Sequence, residues 1–311
     1  MRVFCMLYLA QVSCAKQFDR RTMEFPPLPY IAVAESFKLP PGANFGGTSG
    51  VAFNSQAHIY VLHRGRMPLM EFDADGHFIR GFGDGMFDRP HGLRIDAQDN
   101  IWATDVAMNL VYKFKPSGRL DMVLGVRGRT GDWHPAGHLR LFHEPNEAVV
   151  GPGGDVFVLQ GHGKGEPRVI KFDRDGNFLK TWGGHGKGPG EFDLPHSLVF
   201  DAQGLLYVAD RNNARIQVFD AEGTYIREQK HPGTPCGLFM TADDHIWLAH
   251  GHTGQIMKLD LDGKVVGAIA GAGPGKALGK YGEAHYIALS PRGEVFVADT
   301  LNWRVQKYVK T

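Results

Sequence analysis

Cysteine is scarce in this chain. There are three, Cys5, Cys14 and Cys236, and two of them lie within the first fifteen residues, which argues against a disulfide framework. Charge of either sign is not in excess: 34 Lys and Arg face 33 Asp and Glu, for a net charge of +1. Neither nucleic acid nor an anionic membrane surface is therefore an expected partner. Long apolar runs are missing, so no membrane span is expected; a span needs about 18 or more uninterrupted apolar residues. A helical period of 3.6 is not sustained anywhere, which removes bundles and leaves strands. What the chain does have is glycine (41) and histidine (15), with 43% apolar content, enough for a large core in 311 residues. Residues 1–15, MRVFCMLYLAQVSCA, are apolar behind one Arg and read as a short secretory signal ending near Ala15. The competing reading is a start codon wrongly assigned upstream of Met23. On the first reading the protein is secreted or periplasmic, on the second cytoplasmic. Residues 16–29 are then an extension and residues 30–311 the folded unit.

The folded unit is repetitive. The segment from Trp182 to Glu228 holds a Gly-rich loop and four runs of alternating apolar residues, bounded by Asp201-Ala-Gln-Gly204 and Asp220-Ala-Glu-Gly223. Alternation between Asp/Gly turns is the hairpin signal. The second run recurs six times, as HIYVLHR, NIWATDV, DVFVLQG, LLYVADR, HIWLAHG and EVFVADT. Repeats of 40 to 55 residues are propeller blades or solenoid units. The chain ends on a third strand at residues 304–309, and residues 30–39 can supply the missing outer strand. That closes a ring and hides strand edges. The expectation is an all-β, six-bladed β-propeller closed by an N-terminal strand.

One column in the repeat carries the functional signal. The residue at the turn-to-strand step reads Ser49, His91, Asn146, His196, Cys236 and His285. Histidine falls in the second, fourth and sixth blades, which a six-fold ring sets about 120° apart. Three imidazoles converging on an axis make a metal site with one open position, and a nitrogen set of this kind favours zinc over calcium or magnesium. A second column, at the exit of the second strand, reads His63-Arg64, Asp105-Val106, Gln160-Gly161, Asp210-Arg211, His250-Gly251 and Asp299-Thr300. Arg64 and Arg211 offer rigid forks for a carboxylate. The aspartates are expected to form corners rather than do chemistry. The string GGHGKGPG (183–190) is not a phosphate loop, because Gly188 stands where Ser or Thr must follow the Lys and no helix follows. His134, His138 and His143 lie in an insertion at 125–143, read as a lid over the channel rather than a second metal site.

The run GGHGKGPGEFDLPHSLVFDAQGLLYVADRNNARIQVFD resembles the NHL repeat family, and the resemblance spans roughly residues 40–311. Four strings narrow it further: "SGVAF…HRG" from Ser49, "PHGL…WATDVA" from Pro90, "PHSL" with "VADRNNARIQ" from Pro195, and the final His285 before Ile287-Ala288. These resemble the peptidyl-α-hydroxyglycine α-amidating lyases and their bacterial relatives. The resemblance implies a catalytic zinc on His91, His196 and His285, and substrate-side arginines at Arg64 and Arg211. It implies cleavage of a carbinolamide C–N bond to an amide and glyoxylate. Two positions depart from it. The family's catalytic Tyr has His162 as its nearest match here, and Tyr286 replaces the Asp that the family uses towards a structural calcium, which argues against calcium. The candidates for the base are His162, Tyr286 and a zinc-bound hydroxide. The expected partner is a small-molecule or peptide-derived substrate with a carboxylate. Two alternatives stay open: a zinc-dependent hydrolase of an ester, lactone or amide, and a non-enzymatic NHL-type interaction module.

Overall fold

The computed structural model describes residues 25–131, 133, 140–163, 165–231, 233–269 and 271–311. The expected signal at 1–15, Cys5, Cys14, His134 and His138 lie outside the described residues. Among the described residues, regular structure is strand throughout, apart from one 3-10 turn at Thr300–Asn302. Six sheets carry the fold: four are antiparallel sheets of four sequential strands, one has four such strands plus an added N-terminal strand, and one has three sequential strands plus an N-terminal strand; a short two-stranded piece joins Gly273–Pro274 to Lys280–Tyr281. The innermost strands are Thr48–Phe53, Pro90–Ile95, Pro145–Val150, Pro195–Phe200, Pro235–Met240 and Ala284–Leu289. Each packs against the next, and the last packs against the first. The ring is a six-bladed propeller.

The second strands, such as Leu206–Asp210 and Ile246–His250, are buried at every residue. They lie between neighbouring blades, so both faces are covered and they read as continuous apolar runs. Six clusters of buried side chains fill the six interfaces between blades. Burying one such Leu, Val or Phe is worth about 1.5–3 kcal/mol, so the ring rests on many equal contributions. Hairpin turns repeat one chemistry. The Asp220 carboxylate accepts the amides of Glu222 (2.9 Å) and Thr224 (2.8 Å), and Gly223 takes the left-handed φ of 78° that closes the turn.

Ring closure follows the sequence expectation. Tyr30–Val33 pairs antiparallel with Arg304–Lys310, with Tyr30 opposite Lys310. The Tyr30 ring meets Trp247 edge-on at 5.5 Å, and its hydroxyl donates to the Gly293 carbonyl at 3.0 Å. Unexpectedly, Pro27–Leu28 adds a parallel strand to Val265–Ile269 of blade 5. The N-terminal segment thus stitches two blades. The described ends of the 125–143 insertion are anchored in the core between blades 2 and 3, where Trp133 meets Phe172 edge-on at 4.6 Å and Phe142 is fully buried.

Candidate metal centre

Each residue of the histidine column is the second residue of its innermost strand, and the strand register slips there in all six blades. A bulge leaves its residue outside the ladder and re-aims the side chain. Here it frees two groups at once: an imidazole in the even blades and a backbone carbonyl in the odd ones. The two meet across each interface. Nδ1 of His91 donates to the carbonyl of Asn146 (2.9 Å), Nδ1 of His196 to that of Cys236 (3.2 Å), and Nδ1 of His285 to that of Ser49 (2.8 Å). A carbonyl only accepts, so each Nδ1 carries the proton and each Nε2 keeps a lone pair. One ring nitrogen of each lies within 4.8 Å of the other two, and all three residues are buried. Three nitrogens bound tetrahedrally to one zinc stand roughly 3.4 Å apart, so a small inward movement brings them onto one ion.

The electrostatics suit a cation ligand set. Burial, and then the surrounding positive charge, pushes the His91 and His196 imidazoles well below the ordinary histidine range, and burial pushes His285 down to about 4. All three are neutral near pH 7. Nε2 of His91 is buried with no hydrogen-bond partner. An orphaned acceptor of that kind calls for a ligand, and a metal ion is what three converging neutral imidazoles hold best.

The loops that carry the histidines are clamped from below. Asp105 accepts the amides of Asp88 (2.6 Å) and Arg89 (2.9 Å), Asp210 that of Asp193 (2.8 Å), and Asp299 that of Gly282 (2.9 Å). These aspartates are corners, as the sequence reading expected. Arg215 binds Asp210 (2.8 Å) and Glu228 (2.6 Å), and with Gln217 it donates to the Glu191 carbonyl just ahead of His196. The "N-x-R-I-Q" string is thus a loop clamp.

Among the other predicted site residues, His162 joins the centre: its ring lies 4.4 Å from that of His91 and 5.7 Å from that of His196, and it is partly exposed. Arg211 is buried beside them. Its charge helps to lower His162, His196 and His285. Arg64 is half-buried at the exit of its strand and acts on His285 in the same sense. Tyr286 packs against all three imidazoles, but its hydroxyl donates to the carbonyls of His196 (2.9 Å) and Asn146 (3.3 Å). Burial raises its phenol well above 10, so the side chain braces the histidine loops and is not placed to take a proton. Two features escaped sequence reasoning. Glu283 binds Nη2 of Arg211 at 2.9 Å. Arg94 and the fully buried Glu147 pair at 2.7 Å across the channel, joined by Ser197 and the Leu238 carbonyl. A charged residue two positions before the column, shared by Arg89, Glu144 and Glu283, was the available signal.

A family model named DUF5128 and described as a 6-bladed beta-propeller matches residues 162–260. Over 316 residues the chain is 28% identical to peptidyl-alpha-hydroxyglycine alpha-amidating lyase 1 of Drosophila melanogaster, covering 85% of this chain and 57% of that protein. In sequence it resembles the amidating lyases. It is also 35% identical over 188 residues to NHL repeat-containing protein 3 of Mus musculus, covering 57% and 53% of the two chains. The chain spans about half the length of these curated relatives. A solved streptogramin B lyase superposes with a TM-score of 0.65 at 15% identity, covering 91% of this chain and 98% of that one, a likeness of fold.

Proposed function

We propose that this propeller is a zinc-dependent lyase that cleaves the C–N bond of a carbinolamide of the peptidyl-α-hydroxyglycine type, giving an amide and glyoxylate. The observation that carries the reading is the meeting of three Nε2 lone pairs on one axis, each fixed by a carbonyl from the next blade. His91, His196 and His285 would hold the metal. When bound, zinc supplies Lewis acidity that makes a substrate hydroxyl easier to ionise.

The rest falls to this chain's own groups. Arg64 and Arg211 bind the substrate carboxylate and orient the hydroxyl-bearing carbon towards the imidazoles. His162 receives the hydroxyl proton. The carbon–oxygen double bond of glyoxylate forms as the C–N bond breaks, the electron pair goes to nitrogen, and the proton on His162 is returned there to complete the amide. Arg94 and Glu147 close the channel behind the site and keep bulk water out of that side.

Metal analysis of purified protein and glyoxylate release from α-hydroxyhippurate test the reading together. The expected result is one zinc per chain, lost in a His91→Ala/His196→Ala double variant, with turnover lost in parallel. A metal-loaded protein that releases no glyoxylate refutes the lyase assignment. Water oxygen in an acid product would instead establish hydrolysis.

A further inference from the structure

The ion pair between Arg211 and Glu283 has no part in the steps above. Arg211 leaves the second strand of blade 4 and Glu283 precedes the innermost strand of blade 6, so the pair bridges blade 5. The two meet at 2.9 Å, with side chains 11% and 22% exposed. Blade 5 makes the room. Its residue at the exit of the second strand is Gly251, and a Cβ there would stand 3.5 Å from Nη2 of Arg211 and 3.2 Å from Sγ of Cys236. The guanidinium therefore passes directly over Gly251, close enough that a Cβ there would touch it. Glu283 is fixed in turn, because the Asp299 carboxylate accepts the amides of Gly282 (2.9 Å) and Glu283 (3.4 Å). A substrate carboxylate would seek from Arg211 a shielded charged fork beside three imidazoles. A carboxylate of the chain already sits there, tethered, so its effective concentration is set by the backbone and not by solution.

We propose that Glu283 is a built-in competitor for the substrate carboxylate: Arg211 accepts an external carboxylate only when the Glu283 side chain is displaced, and the pair thereby sets the affinity of the site for anionic ligands. This rests on the assignment of Arg211 to the substrate carboxylate. Apparent affinity is reduced by the fraction of protein in which the binding group is already engaged. Removing the competitor without removing Arg211 must therefore tighten binding of a carboxylate ligand and leave a neutral analogue unaffected.

The probe is hippurate, which has the carboxylate and lacks the reactive hydroxyl, with hippuramide as the neutral control. Titration calorimetry on zinc-loaded wild type, Glu283→Gln and Glu283→Ala is expected to show hippurate binding about tenfold tighter in both variants. Hippuramide affinity should be unchanged, and the gain should vanish in Arg211→Gln/Glu283→Gln. Thermal melts identify any variant that does not fold, and either single variant suffices. Equal hippurate affinity in wild type and variants overturns the proposal. So does unchanged affinity with a collapse of kcat, which would make Glu283 a proton-transfer group. Because hippurate does not turn over, the comparison stands even if wild type releases no glyoxylate from α-hydroxyhippurate. Failure of hippurate to bind any of the proteins removes the role of Arg211 and the proposal together.

Discussion

Metal should raise the thermal stability of this protein through three residues and no others. The argument starts from Nε2 of His91, which is fully buried and has no partner. A buried polar atom left unsatisfied costs about 1–3 kcal/mol, and metal-free protein bears that cost. An ion that binds only the folded state stabilises it by about 2.7 kcal/mol at a hundredfold excess over Kd. For a domain of this size that is a rise in Tm of roughly 4 °C. The assay is differential scanning fluorimetry of protein stripped by a chelator and then titrated with zinc. His91→Phe separates a metal site from an ordinary core histidine. The phenyl ring fills the space and removes both nitrogens, while the Asn146 carbonyl keeps Thr104 (2.8 Å) and Tyr286 (3.3 Å) as donors. Metal-free His91→Phe should thus melt within about 1 kcal/mol of metal-free wild type, or above it. Its response to zinc should be gone. If wild type shows no zinc-dependent shift, or if His91→Phe keeps one, the converging imidazoles are not a metal site and the reasoning fails.

Acid sensitivity should come partly from a histidine outside the centre. Nδ1 of His63 accepts the amides of Gly46 (3.0 Å) and Gly65 (3.1 Å), and burial holds the imidazole at about 4, so between pH 6.5 and 4 the unfolded chain binds a proton that the folded chain refuses. That contribution is complete above pH 6.5 and is lost on acidification, by about 3 kcal/mol; urea melts at pH 7 and pH 4.5 should show the difference shrink in His63→Gln, since Gln160 already fills the same corner in blade 3. Arg215→Ala strands the buried Asp210 carboxylate, and a cost of about 3–5 kcal/mol is expected. It should also lower zinc occupancy, measurable by mass spectrometry, because the loop ahead of His196 loses its clamp. Deleting residues 25–39 exposes the edge of Arg304–Lys310, and size-exclusion chromatography should show association in place of a single species; an unchanged monomer would contradict the closure argument.

The ring and the histidine trio were legible because both are periodic. Six alternating runs at blade spacing can close only one way, and a His in every second blade can point only to a common axis. The partners of that trio were not legible, for physical reasons. The groups that fix His91, His196 and His285 are backbone carbonyls, which have no residue signature, and Ser49, Asn146 and Cys236 share little else. Arg211–Glu283 and Arg94–Glu147 join residues 72 and 53 apart, and neither spacing matches a local periodicity. Tyr286 looked like a base because it follows a ligand in sequence. The bulge turns it the other way, towards the carbonyls on the floor of the channel. Pro27–Leu28 is too short to announce a strand and is held by pairing with Val265–Ile269.

The alternation goes deeper than the trio. Blades 2, 4 and 6 each combine an Asp corner with a histidine of the trio, whereas blades 1, 3 and 5 combine a His or Gln corner (His63, Gln160 or His250) with a backbone carbonyl that accepts from the imidazole of the preceding blade. The corner acceptor is a carboxylate in the blades that present histidine and an imidazole or amide in those that brace it. Three extra carboxylates at the remaining corners, which are buried, would add negative charge in a region of low dielectric, where it is costly. Imidazole and amide corners avoid that while keeping the turn closed. The six-fold ring is therefore built as three two-blade units, each supplying one histidine of the trio and, from its neighbour, the carbonyl that fixes the proton on that histidine. A metal site of three histidines needs three such units, and six blades is the smallest ring that gives each ligand its own brace.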